Sequence, residues 1–510
     1  MYLRWRVAKK TMLKRTILFI VILEVGYLLL FNAALNIGFT QTLINKIKPE
    51  KFQITWQKAW TPYPFKVFLE EGSAWGVSSS QKWKVDVKKA SASISLLPLF
   101  KHRVKVYDID TVNVDYFQRP VKIDIKKAEQ ETFFAPMPDS SSTSEANQKL
   151  VEKKRKNKKE KKPWKIDLEN IVAKGDHSFW IMQAKGELHG NVQVKQLSIE
   201  TNSGPFSVTG GSVDVLMHQL QVGKEKEMLS QSKIKGTVKV DPIVFSENKG
   251  LKILLYLSFD TDISTQMGSL EVLDIYLHRL EDTSIAGKGR LDGHINLQKG
   301  KLLQGTDIEI KADALSFSMK EYTVDGDGKV TAKVSRETPE LLDAKVRFDT
   351  LKTSVDDADN SHKQIVLFRG RGLALELKGD TSLTGEKKKA LKYFSVNIPK
   401  VSVDDLAVFQ RYVPKKWAFE LHGGSGTLQA RSVVERGETD LHVQLRSNEA
   451  EVGFGRQTFK TNMDLLLKLN VQRDKTVKAD LSGSYLSLKD SRIIGGKTLR
   501  QNVQKIGIPT

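Results

Sequence analysis

Apolar and polar residues alternate with a period of two over most of this chain. In "MDLLLKLNVQ", residues 463–472, Met463, Leu465, Leu467, Leu469 and Val471 fall on one side, and Asp464, Lys468, Asn470 and Gln472 on the other. Successive side chains of a strand point to opposite faces, so the segment reads as a strand with one apolar and one wet face. The same alternation recurs at Ala92, Ile94 and Leu96, at Val112, Val114 and Tyr116, and at Ile234, Val238 and Val240. It returns at Leu342, Ala344, Val346 and Phe348, at Leu373, Leu375 and Leu377, and at Leu441, Val443 and Leu445. Two segments change phase, between Val194 and Leu197 and between Ala312 and Leu315, after which Phe317 and Met319 follow. A phase change predicts a bulge or bend. Gly-rich stretches near 287, 326 and 422 read as turns between strands. The pattern predicts roughly twenty strands and no helix long enough for βαβ units. One short helix is expected at 403–413, capped by Asp404 or Asp405 and stopped by Pro414.

Two segments break the alternation. "TILFIVILEVGYLLLFNAAL", residues 16–35, is predominantly apolar, and its one charge is Glu24. It is long enough to cross a hydrocarbon layer ~30 Å thick as a helix. Ile17, Phe19, Leu29 and Leu35 belong to the apolar surface of this expected anchor, and Glu24 is either a contact for a partner membrane helix or a tolerated carboxyl. Six basic residues precede it (Arg4, Arg6, Lys9, Lys10, Lys14 and Arg15), which predicts a cytoplasmic tail at 1–15 and the remainder on the far side. A cleaved signal peptide is the competing reading, against which stand the length of the run and the lack of a small-x-small cleavage site. The second break, 135–163, is Pro/Ser-rich and then Lys-rich, too poor in apolar residues to form a core, and is expected to be a disordered linker. It would separate an N-terminal β region at 36–134 from a longer β region at 164–510.

Charge and composition narrow the function classes. The formal net charge is +21, which favours anionic partners such as lipid headgroups. The chain has no cysteine, which removes disulfides, thiolate nucleophiles and Cys-ligated metals. Its nine histidines are scattered, without HExxH or tight HxH spacing. No G-x-S-x-G elbow or dinucleotide fingerprint is present. The basic residues of the strands lie singly on polar faces, unlike a nucleic-acid stripe. The expectation is therefore a non-enzymatic protein without cofactor or metal and without a nucleic-acid partner.

The order of parts carries a resemblance. An apolar anchor leads into "ISLLPLFKHRVKVYDIDTVNVDYFQRP", 94–120, then a polar linker and "PWKIDLENI", 163–171, and later "VDDLAVFQRYVP" followed by "FELHGGSGTLQA". This resembles the AsmA-like family of bacterial envelope proteins, relatives of TamB. The resemblance implies a mainly β fold in which an N-terminal transmembrane helix precedes an extended, curved, repeating β-groove of antiparallel-type strands. It implies a single-pass inner-membrane protein with its bulk in the periplasm, conducting phospholipid between inner and outer membranes in support of outer-membrane biogenesis. Phe317, Leu373, Leu375, Leu377, Leu441, Val443, Leu445, Leu465, Leu467 and Leu469 are the expected groove residues. From the residues alone these side chains face either acyl chains or a second sheet. The alternative function is a scaffold or assembly factor for outer-membrane proteins that uses strand edges.

Overall fold

The computed structural model describes residues 2–47, 51–77, 81–95, 97–121, 134–135, 137, 163–201, 204–223, 228–245, 247–248, 250–271, 283–335, 340–357, 364–384, 391–413, 419–473, 477–494 and 506–507. The protein is mainly β, preceded by an apolar helix. Helix α1 (Tyr2–Asn36) contains the expected anchor, and its stretch Lys14–Asn36 is apolar and long enough to cross a membrane. Ile17, Phe19, Glu24 and Leu29 are exposed and Leu35 is half-buried. Gly38, at φ +73°, ends this run, and a short helix α2 (Phe39–Ile47) follows that the alternation pattern did not predict. The chain then divides into two compact units, Met1–Thr261 and Asp262–Thr510.

In the first unit, β1 (Phe52–Thr55) and β2 (Lys58–Trp60) both pair with β3 (Lys66–Val77), which pairs with β4 (Gln81–Ser95), itself paired with β5 (Arg103–Pro120). The order continues through β6 (Lys165–Ile181), β7 (Ala184–Glu200), β8 (Phe206–Val222) and β9 (Leu229–Ile243). These pairings are antiparallel with one exception. Strands β5 and β6 are parallel, a single departure from the expected antiparallel-type pairing. The physical reason is the connection: parallel neighbours need a crossover of a dozen or more residues, and residues 121–164 supply one. The expected linker, 135–163, lies outside the described residues apart from Ala135, Met137 and Pro163, and Ala135 is fully buried, its carbonyl accepting from Arg119 Nη1 at 3.3 Å. Strands on the two sides of the linker thus share one unit, where the sequence pattern predicted separate regions. The phase change at Val194–Leu197 coincides with register shifts between β7 and β8, and Asn170 on β6 has a left-handed φ of +52°.

The second unit begins within β10 (Leu257–Met267) and contains β11 (Thr283–Gln298), β12 (Lys301–Leu302), β13 (Asp307–Met319), β14 (Tyr322–Val334), β15 (Leu341–Phe348) and β16 (Leu351–Asp356). It goes on through β17 (Gln364–Gly370), β18 (Leu373–Asp380), β19 (Leu391–Val403), β20 (Phe419–Gly423), β21 (Gly426–Glu435), β22 (Glu438–Phe454), β23 (Gln457–Arg473), β24 (Val477–Asp480) and β25 (Tyr485–Ile493). Register shifts interrupt the long strands at Ala286/Lys288, Ala312/Leu315, Ile398/Val401, Ser447/Ala450 and Lys460/Asn462. Bulges bend a strand, and β14 divides accordingly: its first part pairs with β16 and its second with β15. Leu315, Val401 and Ala450, beside three of these shifts, are fully buried. The bend predicted after Ala312 is therefore present, with Ala314 at φ +55°.

Not every glycine-rich stretch is a turn. Residues 287–293 lie within β11 and 326–329 within β14. Gly326 is there because the carbonyl of Thr350, on a neighbouring segment of the sheet, occupies the space of a Cβ. The stretch at 422 does turn, between β20 and β21. Gly424 has φ +96°, a Cβ there would meet the Glu449 carbonyl, and its own carbonyl accepts from Leu406 N–H at 2.7 Å. Gly424→Ala combines a disfavoured backbone with a backbone clash and is expected to cost more than ~1 kcal/mol, read as a lower urea midpoint with an unchanged slope. The expected helix at 403–413 is a 3-10 helix, Leu406–Tyr412, capped by Asp405, whose carboxylate accepts from Ala407 N–H at 2.9 Å.

Candidate functional site

Strand register settles which side chains share a face. In the second unit the pairs Leu291–Ile310, Ile310–Val330, Val330–Val346, Val346–Leu375 and Leu375–Val396 form one cross-strand apolar row. Leu441 pairs with Leu469, Val443 with Leu467, and Leu445 with Leu465, as the alternation predicted. Leu377 pairs with Phe394, and Leu373 with Phe348. Phe317 lies beyond the bulge, between Ile285 and Val324. The structure therefore orders nine of the ten expected groove residues into adjacent rows and separates Phe317 from them.

Their burial is not uniform. Leu373, Leu375 and Leu445 are 3%, 8% and 4% exposed, whereas Leu377, Leu441, Val443, Leu465, Leu467, Leu469 and Phe317 are half-buried. The first three are packed against protein.

The first unit is built from the same letters and differs in cover. Among the described residues, five buried apolar side chains lie in residues 1–261 and twenty-nine in 262–510. Two adjacent apolar rows cross its sheet. One runs Val104, Ile166, Ile199, Phe206, Ile243, from β5 to β9; the other runs Ile94, Val106, Leu168, Leu197, Val208, Val240, from β4 to β9. Of these eleven side chains only Val208 and Ile243 are fully buried, and Ile199 is 38% exposed. Six strands at ~4.8 Å spacing span ~24 Å, more than the ~15 Å that one leaflet's hydrocarbon occupies. The sequence reading missed this surface as a site. Its alternation was visible at Ile94 and Leu197, but alternation looks the same whether or not a second layer covers it.

The opposite face at this level is charged and cross-linked. Lys105 pairs with Asp167 across β5 and β6, and Asp167 with Ser198 across β6 and β7. The Asp167 carboxylate is fully buried, accepts from Ser198 Oγ at 2.6 Å and from Arg103 Nε, and lies 3.6 Å from Lys165 Nζ. Burial raises the pKa of this carboxyl, but the hydrogen bonds from Ser198 and Arg103 and the positive charges of Lys165 and Arg103 outweigh it and hold the group below the ordinary aspartate range. The charged form is thus the stabilised one. This contribution is fully present above the unfolded value of ~3.9 and is lost as pH falls through the lower folded value. Asp167→Asn is expected to lower the denaturant midpoint at neutral pH and to flatten its acid dependence, measured by unfolding curves across the acid range.

The described histidines serve the sheets. His189 pairs with Asp176 at 2.7 Å, His294 with Asp262 at 2.8 Å and His422 with Glu420 at 2.9 Å, all at exposed or part-exposed positions. His177 is buried, and its Nδ1 accepts from Val114 N–H at 3.1 Å. A scan against protein-family models finds no match to this chain, and a search of curated proteins finds none.

Proposed function

We propose that this chain is a membrane-anchored β protein of the AsmA-like kind that holds phospholipid acyl chains on the apolar rows of its first unit and conducts lipid along its sheet. In this reading it is a non-enzymatic inner-membrane protein with a cytoplasmic N-terminus. The bulk lies in the periplasm, and the role is phospholipid movement toward the outer membrane. The observation that carries it is the incomplete cover of the apolar rows between Ile94 and Val240, where Ile199 is exposed and eight others of the eleven side chains are only half-buried. Removing about ten methylene groups from water onto such a surface favours binding by up to ~8 kcal/mol, enough to exceed the ordering costs of a single acyl chain. Anchoring rather than cleavage is supported by hydrogen bonds from the apolar helix to the sheet. Asn32 Nδ2 donates to the Thr61 carbonyl at 3.0 Å, and Asn36 Nδ2 to that of Ala59 at 2.7 Å. Removing the helix as a leader would strip these partners from β2.

Photo-crosslinking in intact cells tests this. With a benzophenone amino acid at Leu197 or Ile199 of the full chain, irradiation is expected to give phospholipid adducts. The same group at Lys105 or Ser207, on the opposite face, is expected to give none. Protein adducts without lipid at Leu197 and Ile199 would sink the lipid reading in favour of a scaffold.

A further inference from the structure

The two helices do more than precede the sheet. Asn45 donates to the Ile54 carbonyl at 2.9 Å and accepts from the Ile54 N–H at 2.8 Å. Gln41 donates to the Trp56 carbonyl at 2.8 Å. Asn36 donates to the Ala59 carbonyl at 2.7 Å and accepts from its N–H at 3.4 Å, and Asn32 treats Thr61 likewise at 3.0 and 2.8 Å. Side-chain amides at 45, 41, 36 and 32 thus descend the helices while 54, 56, 59 and 61 descend the chain beside them. They satisfy the edge of β1 and β2 as a neighbouring strand would, and so cap it.

This ladder fixes depth. At ~1.5 Å per residue, Asn32 lies ~26 Å and Asn36 ~32 Å beyond Arg15 along α1, against a hydrocarbon thickness of ~30 Å. Thr61, bonded to Asn32 and with its hydroxyl 2.8 Å from that of Tyr27, is then inside the far boundary, and residues 62–65 follow it before β3 begins.

The composition of that turn suits such a position. No charged residue occurs between Lys58 and Lys66, nor on the helices between Glu24 and Lys46. Trp60, Tyr63 and Phe65 are 51%, 56% and 52% exposed. Backbone polar groups in hydrocarbon must be satisfied or absent. Pro62 and Pro64 carry no N–H. The Tyr63 carbonyl accepts from the Thr61 hydroxyl at 2.7 Å, and the Phe65 carbonyl from Ile94 N–H at 2.9 Å.

We propose that the turn joining β2 to β3, residues 61–65, is seated in the hydrocarbon of the bilayer that α1 crosses, held there by the amide ladder. Its partner is the far leaflet of that same phospholipid membrane. The first edge of the sheet then opens directly onto acyl chains. This rests on the anchoring of α1 proposed above.

The chain has no cysteine, so single nitroxide labels are free of background. Tyr63→Cys, Phe65→Cys, Leu30→Cys and Asp214→Cys variants of the full chain are labelled and reconstituted in phosphatidylethanolamine and phosphatidylglycerol vesicles. Collision with oxygen and with a water-soluble nickel chelate is then measured by power-saturation spin resonance. The expected result is that labels at 63 and 65 lose nickel collisions as the label at 30 does, while the label at 214 keeps them. Labels at 63 and 65 that behave like 214, with 30 still protected, overturn the seating and leave the anchor standing. A label at 30 that behaves like 214 overturns both. In an Asn32→Leu, Asn36→Leu background the helix stays apolar, and the label at 63 is expected to regain nickel collisions. Continued protection there would overturn the ladder as the cause.

Discussion

Leu375→Asp will strongly destabilise the second unit. Leu375 is 8% exposed and sits in a cross-strand row between Val346 and Val396, beside Leu373 at 3%. A carboxylate there has no cation across the strands and no water. Leaving a buried charge unpaired costs ~3–5 kcal/mol, a large share of a domain's ~5–15 kcal/mol. For a unit of this size each kcal/mol lowers the melting temperature by ~2–4 °C, so a fall of about 6–20 °C is expected, with protease sensitivity appearing in residues 262–510. Leu467→Asp, at a half-buried position paired with Val443, is expected to shift melting by a few degrees at most, since strand preferences on partly solvated faces span ~1 kcal/mol. Equal melting of Leu375→Asp and the parent protein, followed by circular dichroism, would show that this part of the face is wet.

Leu168→Asp combined with Leu197→Asp is expected to do the reverse: remove lipid and leave the fold. These residues pair across β6 and β7, and both are half-buried. In the lipid-free protein their carboxylates stay in contact with water, so the cost is strand preference, ~1 kcal/mol for each, with a solvent-screened repulsion of up to ~1 kcal/mol between the two opposed charges. Under an acyl chain the same carboxylates lose hydration with no partner, a penalty of several kcal/mol. Since ~1.4 kcal/mol is a factor of ten in affinity, co-purifying phospholipid measured by mass spectrometry should fall at least tenfold, while a cooperative melting transition is retained. Retained lipid in the double variant would move the binding surface elsewhere. Loss of fold would mean that these leucines are core.

The contrast between the two experiments also shows where the sequence stops being informative. Leu375 and Leu168 stand in the same kind of alternating segment, LALELKG and KIDLENI, and nothing local distinguishes them. Local pattern gave strand existence correctly because the period of two is a property of the chain itself. It gave the bends near Ala312 and Val194 because a phase change is also local, and it gave the Asp405 cap because side chain and backbone partner are neighbours in sequence.

It misread the glycines at 326 and 328, whose reasons are the Thr350 and Arg347 carbonyls on neighbouring segments. It missed the parallel pairing of β5 with β6, because the partner of a strand is a long-range choice. It treated Asn32 as an ordinary member of the apolar run 16–35 and gave Asn36 no role, since their partners Thr61 and Ala59 lie 29 and 23 residues away. The sequence by itself therefore determined the apolar helix, the mainly β character and the two-faced strands. Only the tertiary structure decided which apolar faces are covered and which edge is capped, because burial and edge pairing depend on what lies across the strand, and the letters of the strand do not carry that.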